Sequence, residues 1–274
     1  MNPVEISHLT KRYPAFVLDD VTMSIEAGLV TGFVGANGSG KTTTIKAVLG
    51  MIHPDSGTAT TLPHERIGVV FDSPPYNSEW RVRDVARGLA PFYPTWSAAD
   101  FTAGLQEAGI DPAAKVKSLS RGMGMRLQMV TALAHDPELL ILDEPTSGLD
   151  PLARSQMVDS LAQYMTAENH TVWFSTHITS DLDRLADRLI VLDRGRVVAA
   201  GTTEELLASM RIVRGTPDRL TEEVRTHGLG LRSTPVGWEV MLPADAAEAL
   251  EGVVVEAPSI EELAIHIAKG VAGD

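Results

Sequence analysis

The chain has 274 residues, enough for one large domain with a substantial core and a smaller second one. Its 44% hydrophobic content is that of a globular protein, and we expect neither a signal peptide nor a membrane-spanning segment. The formal net charge of −13 argues against a protein that coats nucleic acid, and no nucleic-acid partner is expected. The absence of cysteine excludes disulfides and thiolate metal sites, which agrees with a reducing cytosol.

The first predicted elements are short strands at residues 4–7 and 21–25. An apolar run at 29–34 then leads into a glycine-rich loop at 35–42, and residues 43–49 have a helical pattern. This order of strand, loop and helix places the positive end of a helix at the loop, where it favours an anion.

The loop itself matches the phosphate-binding pattern G-x-x-x-x-G-K-[ST]. Its glycines let backbone N–H groups face the α- and β-phosphates, Lys41 reaches the β- and γ-phosphates, and the Thr42 hydroxyl is suited to Mg²⁺. A glycine-rich turn that carries lysine by chance is the alternative, which the strand and helix on either side disfavour. We therefore predict a nucleoside triphosphate site with contacts from Gly35, Asn37, Gly38, Ser39, Gly40, Lys41, Thr42 and Thr43.

Further elements follow in an alternating pattern. A strand at 66–71 precedes a turn-rich segment, and residues from about 80 to 135 have a helical pattern, with a capping box predicted at 97–100 and a helix start at Asp111-Pro112. Apolar runs at 139–142, 171–174 and 189–192 then alternate with helices, which predicts a parallel α/β sheet.

Two acidic residues end the apolar run at 139–142. We expect Asp143 to hold Mg²⁺, with Thr42 and phosphate oxygens as further ligands, and Glu144 to orient the water that attacks the γ-phosphate. Acids after an apolar strand also begin ordinary turns. Their position downstream of a phosphate loop favours the catalytic interpretation.

Three further segments surround these acids in a specific order: Leu-Ser-Arg-Gly-Met at 119–123, Glu-Pro-Thr-Ser-Gly-Leu-Asp at 144–150 and Phe-Ser-Thr-His at 174–177. Together with the phosphate loop they resemble the nucleotide-binding subunit of a bacterial ABC transporter over roughly residues 4–210. The resemblance implies an α/β P-loop NTPase fold of the ABC type. We expect a RecA-like core, an N-terminal antiparallel β subdomain and an α-helical subdomain at about 80–135, all within an ATPase domain at 1–210.

The resemblance also assigns roles to individual residues. Ser120 and Gly122 are expected to bind the γ-phosphate held by the opposite subunit, and Asp150 to lie in the loop that contacts the partner, although an Asp before Pro is also a helix cap. His177 is expected to contact the γ-phosphate and help position water. Tyr13 lies where the family has an aromatic that stacks on adenine, with a packing role as the alternative.

The sequence departs from the family pattern in two places. Asp72 replaces the usual Gln, and its carboxylate suits Mg²⁺ but adds negative charge near the γ-phosphate. Either the metal site is tighter and ATP hydrolysis slower, or the loop keeps only a mechanical role. Arg121 and Met123 replace Gly and Gln, and Arg121 either pairs with phosphate across a dimer or lies on the outer face. These variations resemble a branch of exporters for lipids, antibiotics or peptides.

The resemblance implies an ATPase that works as a head-to-tail pair around two ATP molecules. A separate integral membrane permease is expected to dock on the segment with Tyr76 and Trp80 and on residues up to about 115, at the cytoplasmic face of the membrane. A simple packing role for these aromatic side chains is the alternative. The rival interpretation is a non-transport ABC ATPase, or a regulatory or resistance ATPase with soluble partners, which Asp72 keeps open.

Residues 211–274 are predicted to form a small α+β domain. Short strands at 211–213, 229–232, 238–241 and 252–255 alternate with helices near 217–227, 243–250 and 259–269. The domain either strengthens the dimer, docks a regulator or only stabilises the fold. His266 on the last helix is expected at the edge of the core.

Overall fold

The computed structural model describes residues 2–270, and this part of the chain contains three β-sheets. Continuous apolar residues bury strands β3, β6 and β7, and alternating ones bury one face of β2. In chain order the strands are β1 (Val4–Tyr13), β2 (Phe16–Ile25), β3 (Val30–Val34), β4 (Ser56–Thr61), β5 (Ile67–Val70), β6 (Leu139–Asp143), β7 (Thr171–Thr176), β8 (Arg188–Asp193), β9 (Arg196–Thr202), β10 (Met210–Gly215), β11 (Leu229–Thr234), β12 (Gly237–Pro243) and β13 (Val254–Glu256).

The same part of the chain contains nine α-helices, and six of them begin at a Ser, Thr or Asp whose side chain accepts an N–H of the first turn. Such caps are readable in the sequence, so most helix starts could be predicted. The helices are α1 (Lys41–Val48), α2 (Val82–Leu89), α3 (Ala98–Glu107), α4 (Arg121–Leu133), α5 (Pro151–Tyr164), α6 (Thr203–Ala208), α7 (Glu222–His227), α8 (Ala244–Glu248) and α9 (Ile260–Gly270).

The central sheet has the strand order β5-β6-β7-β3-β8-β9. The first five strands are parallel, as predicted, and β9 adds an antiparallel edge. Strands β3, β6 and β7 are buried along their whole length, which explains their near-continuous apolar sequences. Because the carboxyl ends of parallel strands meet at one edge, the loops after β3, β5, β6 and β7 lie together there.

The N-terminal strands form an antiparallel sheet of order β2-β1-β4. Strands β1 and β2 have ten residues each and pair from Val4↔Ile25 to Tyr13↔Phe16, so they are longer than the sequence predicted. The sequence also did not predict β4, because its residues are Ser, Gly, Thr and Ala rather than large apolar residues. This sheet packs Leu18 and Ile25 against Ile45 of α1 and Phe33 of β3.

Helices α2 to α4 form a layer with a small core of their own, which includes Phe101 and Leu127. The helix start predicted at Asp111 is wrong: residues 111–114 form a turn in which the Asp111 carboxylate accepts the Ala113 N–H at 2.8 Å. Of the two roles that the sequence left open for Tyr76, docking and packing, the structure shows packing against this core. Burial raises the pKa of its hydroxyl to about 12.

The C-terminal strands form an antiparallel sheet of order β11-β12-β10-β13, near the positions that the sequence predicted. One face of the region contributes Ile212, Met241 and Leu263 to the core cluster that contains Leu189 of β8, so the region packs directly on the central sheet. His266 is 1% exposed, deeper than the core edge expected, and its Nδ1 lies 3.0 Å from the Leu229 carbonyl oxygen.

The longest of these helices, α5, has 14 residues. Among residues 2–270 no helix combines the length and the apolar content needed to traverse a bilayer.

Candidate active site

The phosphate loop connects β3 to α1 and depends on two glycines. Gly40 caps α1 with a φ of 115°, where a Cβ would lie 2.8 Å from the Phe16 ring. A Cβ on Gly35 would collide with the Leu192 carbonyl oxygen. The loop also buries the Ser39 hydroxyl, which has no hydrogen-bond partner among the described residues and is therefore available to a ligand.

Lys41 is held beneath this loop, with only 5% of its surface exposed. Its Nζ donates to the carbonyl oxygens of Gly35 at 2.6 Å and Ala36 at 3.3 Å. The same Nζ lies 3.1 Å from Oε1 of Glu144. Two backbone acceptors and the Glu144 carboxylate therefore surround the ammonium group, and a phosphate that binds Lys41 would compete with the charge of Glu144.

Glu144 is the centre of the predicted catalytic group. Its Oε2 lies 2.6 Å from Nδ1 of His177 and accepts the backbone N–H of His177 at 3.3 Å. The backbone of Glu144 has a φ of 54°, an uncommon conformation for a residue with a side chain, and its N–H donates to Ser175 O at 2.9 Å. Strand β7 thus fixes both Glu144 and His177 at the carboxyl edge of the sheet.

Asp143 is 1% exposed and accepts a hydrogen bond from the Ser175 hydroxyl at 3.1 Å. Burial raises the pKa of its carboxyl group, while hydrogen bonds from Thr42 and Ser175 act in the opposite direction. A hard cation beside Asp143 would relieve this cost of burial, and the oxygens of Thr42, Asp72 and Asp143 are the ligand type that Mg²⁺ prefers.

No group of three or more His, Asp or Glu side chains within residues 2–270 is arranged as a metal site.

A cavity of about 500 Å³ opens beside these groups. Its lining does not include Gly35 and Ser39 of the loop or the buried Asp143 at the end of β6. It brings together most of the predicted site: Asn37, Gly38, Gly40, Lys41, Thr42, Thr43, Asp72, Glu144 and His177, joined by Phe16, Arg121 and Ser147.

Tyr13 lies at the tip of the β1–β2 hairpin, is 41% exposed and does not line the cavity. Its cross-strand partner Phe16 does line it, and cross-strand partners project to the same face of a sheet. Phe16 could not be predicted as a site residue from the sequence, because only the hairpin register places this ring beside the phosphate loop.

Ser120, Gly122 and Asp150 do not line the cavity of their own chain. The exposed Ser120 caps α4 by accepting the Met123 N–H at 3.2 Å. The exposed Asp150 caps α5, as the alternative interpretation predicted, by accepting the N–H groups of Leu152 and Ala153 at 3.0 Å. Ser120 and Asp150 therefore cap helices of their own chain, and neither belongs to the lining of its cavity.

Arg121 is exposed and lines the cavity, and its pairing with phosphate across a dimer stays a prediction. Its Nε donates to the carbonyl oxygen of Ser147 in its own chain, at 2.8 Å.

Comparison with known proteins agrees with this geometry. Residues 18–147 match the family described as "ABC transporter". The chain is 35% identical over 223 residues to a Nod factor export ATP-binding protein I of Burkholderia orbicola, covering 76% of this chain and 73% of that protein. It is 33% identical over 246 residues to the protein of that name from Mesorhizobium japonicum, covering 82% of this chain and 72% of the relative.

Solved structures give the same result. An ATP-binding subunit of an ABC transporter superposes with a TM-score of 0.67 and 27% identity, covering 74% of this chain and 91% of that one. The cbiO1 protein of Clostridium perfringens, part of the ABC transporter complex cbiONQ, superposes with a TM-score of 0.60 and 26% identity, covering 76% and 91%. The chain therefore belongs to the ATP-binding subunits of ABC transporters, and it is an ATPase with the P-loop NTPase fold.

Proposed function

We propose that the chain powers export, that two copies close head to tail around two ATP molecules, and that a separate integral membrane permease carries the substrate. The observation that carries the dimer is the division of the site: Lys41, Glu144 and His177 converge on the cavity, whereas Ser120 and Asp150 are exposed elsewhere. The export assignment rests on the relatives in Burkholderia and Mesorhizobium, which are named as Nod factor export ATP-binding proteins.

The chemistry follows from the contacts of Glu144. When the β- and γ-phosphates of ATP take its place at Lys41, the carboxylate is free to orient a water molecule toward the γ-phosphorus. Attack by that water breaks the bond to the β–γ bridging oxygen and yields ADP and phosphate. His177, already hydrogen-bonded to Glu144, keeps the carboxylate directed into the cavity.

Thr42, Asp143 and Asp72 are the residues that would hold Mg²⁺. When bound, the ion neutralises part of the phosphate charge that develops as the bond breaks.

A second copy would complete what one chain lacks. Ser120 and the backbone at Gly122 lie at the N-terminal end of α4, a position that favours an anion such as the partner's γ-phosphate. Beside Asp150, the apolar side chain of Leu152 is 67% exposed, which suits a surface that is covered in the dimer.

We place the permease on the helical layer, at the inner face of the cell membrane, where ATP is available. Phe92 is 73% exposed and Trp80 is 40% exposed, and aromatic side chains of this kind are enriched in protein interfaces. The expected docking surface is therefore narrower than the sequence predicted, because Tyr76 is packed inside the layer.

The test is a pull-down from native membranes with Glu144→Gln as bait, so that the ATP-bound dimer persists. We expect ATP-dependent recovery of an integral membrane protein. Adding Phe92→Asp should abolish recovery, whereas Val236→Asp, at an 84% exposed residue of the C-terminal region, should not. Recovery of soluble proteins alone, with ATP-dependent dimers still forming, would favour a non-transport ATPase.

A further inference from the structure

Two segments that carry exposed residues of the proposed dimer site, Ser120 and Asp150, are joined by a polar side chain, in addition to Leu149, which lies near Gly122 of α4. The first is the start of α4, which carries Ser120, and the second is the loop at 146–150, which we call the Asp150 loop. Arg121, in the first turn of α4, donates from Nε to the carbonyl oxygen of Ser147 at 2.8 Å. Hydrogen bonds from a charged donor are about twice as strong as neutral ones.

The contact is close as well as polar. Gly148 has a φ of 70°, and a Cβ at this residue would lie 3.0 Å from Nε of Arg121 and 3.3 Å from its Cδ and Cζ. The guanidinium group therefore packs directly on the glycine backbone, which a larger residue would prevent. A similar close approach occurs at Gly124, where a Cβ would lie 3.0 Å from the Pro74 ring, so the first turns of α4 are firmly seated.

The other contacts of the Asp150 loop lead back to the catalytic group. The Ser147 N–H donates to the carbonyl oxygen of Glu144 at 3.2 Å, so Arg121 holds the opposite end of a single turn that begins at Glu144. The Thr146 hydroxyl donates to the buried Asp181 at 2.6 Å, which fixes this turn to the segment after β7. The loop is thus held from the sheet side by Asp181 and from the α4 side by Arg121.

We infer that Arg121 is a positioning residue, which joins the start of α4 and the Asp150 loop into one rigid unit. Ser120 and Asp150 then approach the partner's ATP together, at a fixed separation. The Gly that the family usually has in place of Arg121 has no side chain to make the hydrogen bond to Ser147. The inference rests on the proposed head-to-tail dimer, but the bond itself is a property of the single chain and is testable there.

The first experiment measures hydrogen–deuterium exchange in the nucleotide-free chain. Arg121→Ala should speed exchange of the amides at 147–149 about tenfold, as expected for loss of one charge-assisted hydrogen bond. Arg126→Ala is the matched control, because Arg126 lies on the same helix and also reaches across, to Gln156 of α5, but outside the cavity. Exchange equal in the two variants would overturn the inference.

The second experiment measures ATP-dependent dimerisation in the Glu144→Gln background. We expect Arg121→Ala to raise the ATP concentration for half-maximal dimer formation about tenfold, and Arg126→Ala to leave it unchanged. Arg121→Lys should restore part of the loss, because an ammonium group can reach the carbonyl but cannot pack flat on Gly148. Faster exchange without weaker dimerisation would overturn the link to the partner's ATP. If the chain with Arg121 intact forms no dimer, the proposed function fails, while the exchange result still decides whether the bond exists.

Discussion

The two halves of the proposed ATP site are held in different ways. The residues around the cavity bond to each other: Glu144 contacts both Lys41 and His177 through its two carboxylate oxygens. Ser120 and Asp150 bond only to the backbone of the helices they cap. The catalytic role of the cavity residues can therefore be inferred from one chain. Ser120 and Asp150 have only the contacts of ordinary helix caps, and their proposed role requires a second copy.

The difference also separates the expected effects of substitutions. We call Lys41, Glu144 and His177 the cavity half, and Ser120 and Asp150 the outward half. A change in the cavity half should alter the chemical step or the binding of ATP within one chain. A change in the outward half should leave ATP binding to one chain intact and impair only what needs two chains.

The largest effect is expected at Glu144. Glu144→Gln should lower the rate of hydrolysis at least about a hundredfold, the usual range for loss of a general base. Binding of ATP should persist or tighten, because Lys41 no longer has a carboxylate as a competing partner. Turnover assays with calorimetric ATP binding measure both, and Glu138→Gln, just before β6, is the control. Equal loss in the two variants would contradict the role of Glu144.

Ser120→Ala tests the outward half. We expect hydrolysis to fall about tenfold or more through loss of a phosphate contact, while ATP affinity of the single chain is unchanged. Loss of the cap should also lower the free energy of unfolding by about 1 kcal/mol. Ser97→Ala removes the equivalent cap of α3 and controls for that destabilisation. Hydrolysis that falls equally in both would leave Ser120 with a structural role only.

Asp72→Gln restores the usual family residue at the cavity and tests how charge near the phosphates affects turnover. Removal of a negative charge beside the phosphates should raise turnover about fivefold and raise the Mg²⁺ concentration for half-maximal activity by a similar factor. A magnesium titration of the ATPase rate measures both quantities. An unchanged titration would mean that Asp72 acts only through the position of its loop.

The smallest effect is expected outside both halves, at Arg214 in the C-terminal region. Its guanidinium contacts Glu239, Glu256 and Glu262. The hydrogen bond from Arg214 holds the pKa of Glu239 below its ordinary value of 4.5. The stability from this pair is therefore present above pH 4.5 and is lost as the pH falls through the lower folded-state value.

Arg214→Met should lower the free energy of unfolding by about 1 kcal/mol at neutral pH. The difference from the wild type should shrink below pH 4.5, where the carboxylate becomes protonated. Denaturant unfolding at several pH values measures it, with Arg219→Met, at an exposed contact to Asp218, as control. If Arg214→Met also lowers the ATPase rate while the protein remains folded, the C-terminal region must influence the active site.

Much of the central fold could be predicted, because fully buried strands have continuous apolar sequences and their loops carry recognisable motifs. Strand β4 could not be predicted, since its polar residues are held by pairing with β1 rather than by burial. The turn at Asp111 was mistaken for a helix cap, because an Asp followed by Pro has the same signature in both.

For the site, the phosphate loop and the acids after β6 could be predicted from local sequence alone. Phe16 and the bond from Arg121 to Ser147 could not. The first depends on the register of a hairpin, and the second on a side chain that reaches a residue 26 positions away.

The most direct test of the divided site is complementation between two inactive variants. Lys41→Ala loses the phosphate contact of the cavity half, and Ser120→Ala loses that of the outward half, so each alone should have little activity. A head-to-tail dimer of the two contains one complete site. An equimolar mixture should therefore recover about a quarter of the wild-type rate, since random pairing gives half mixed dimers with one working site each. A mixture no more active than its components would contradict a site shared between two chains.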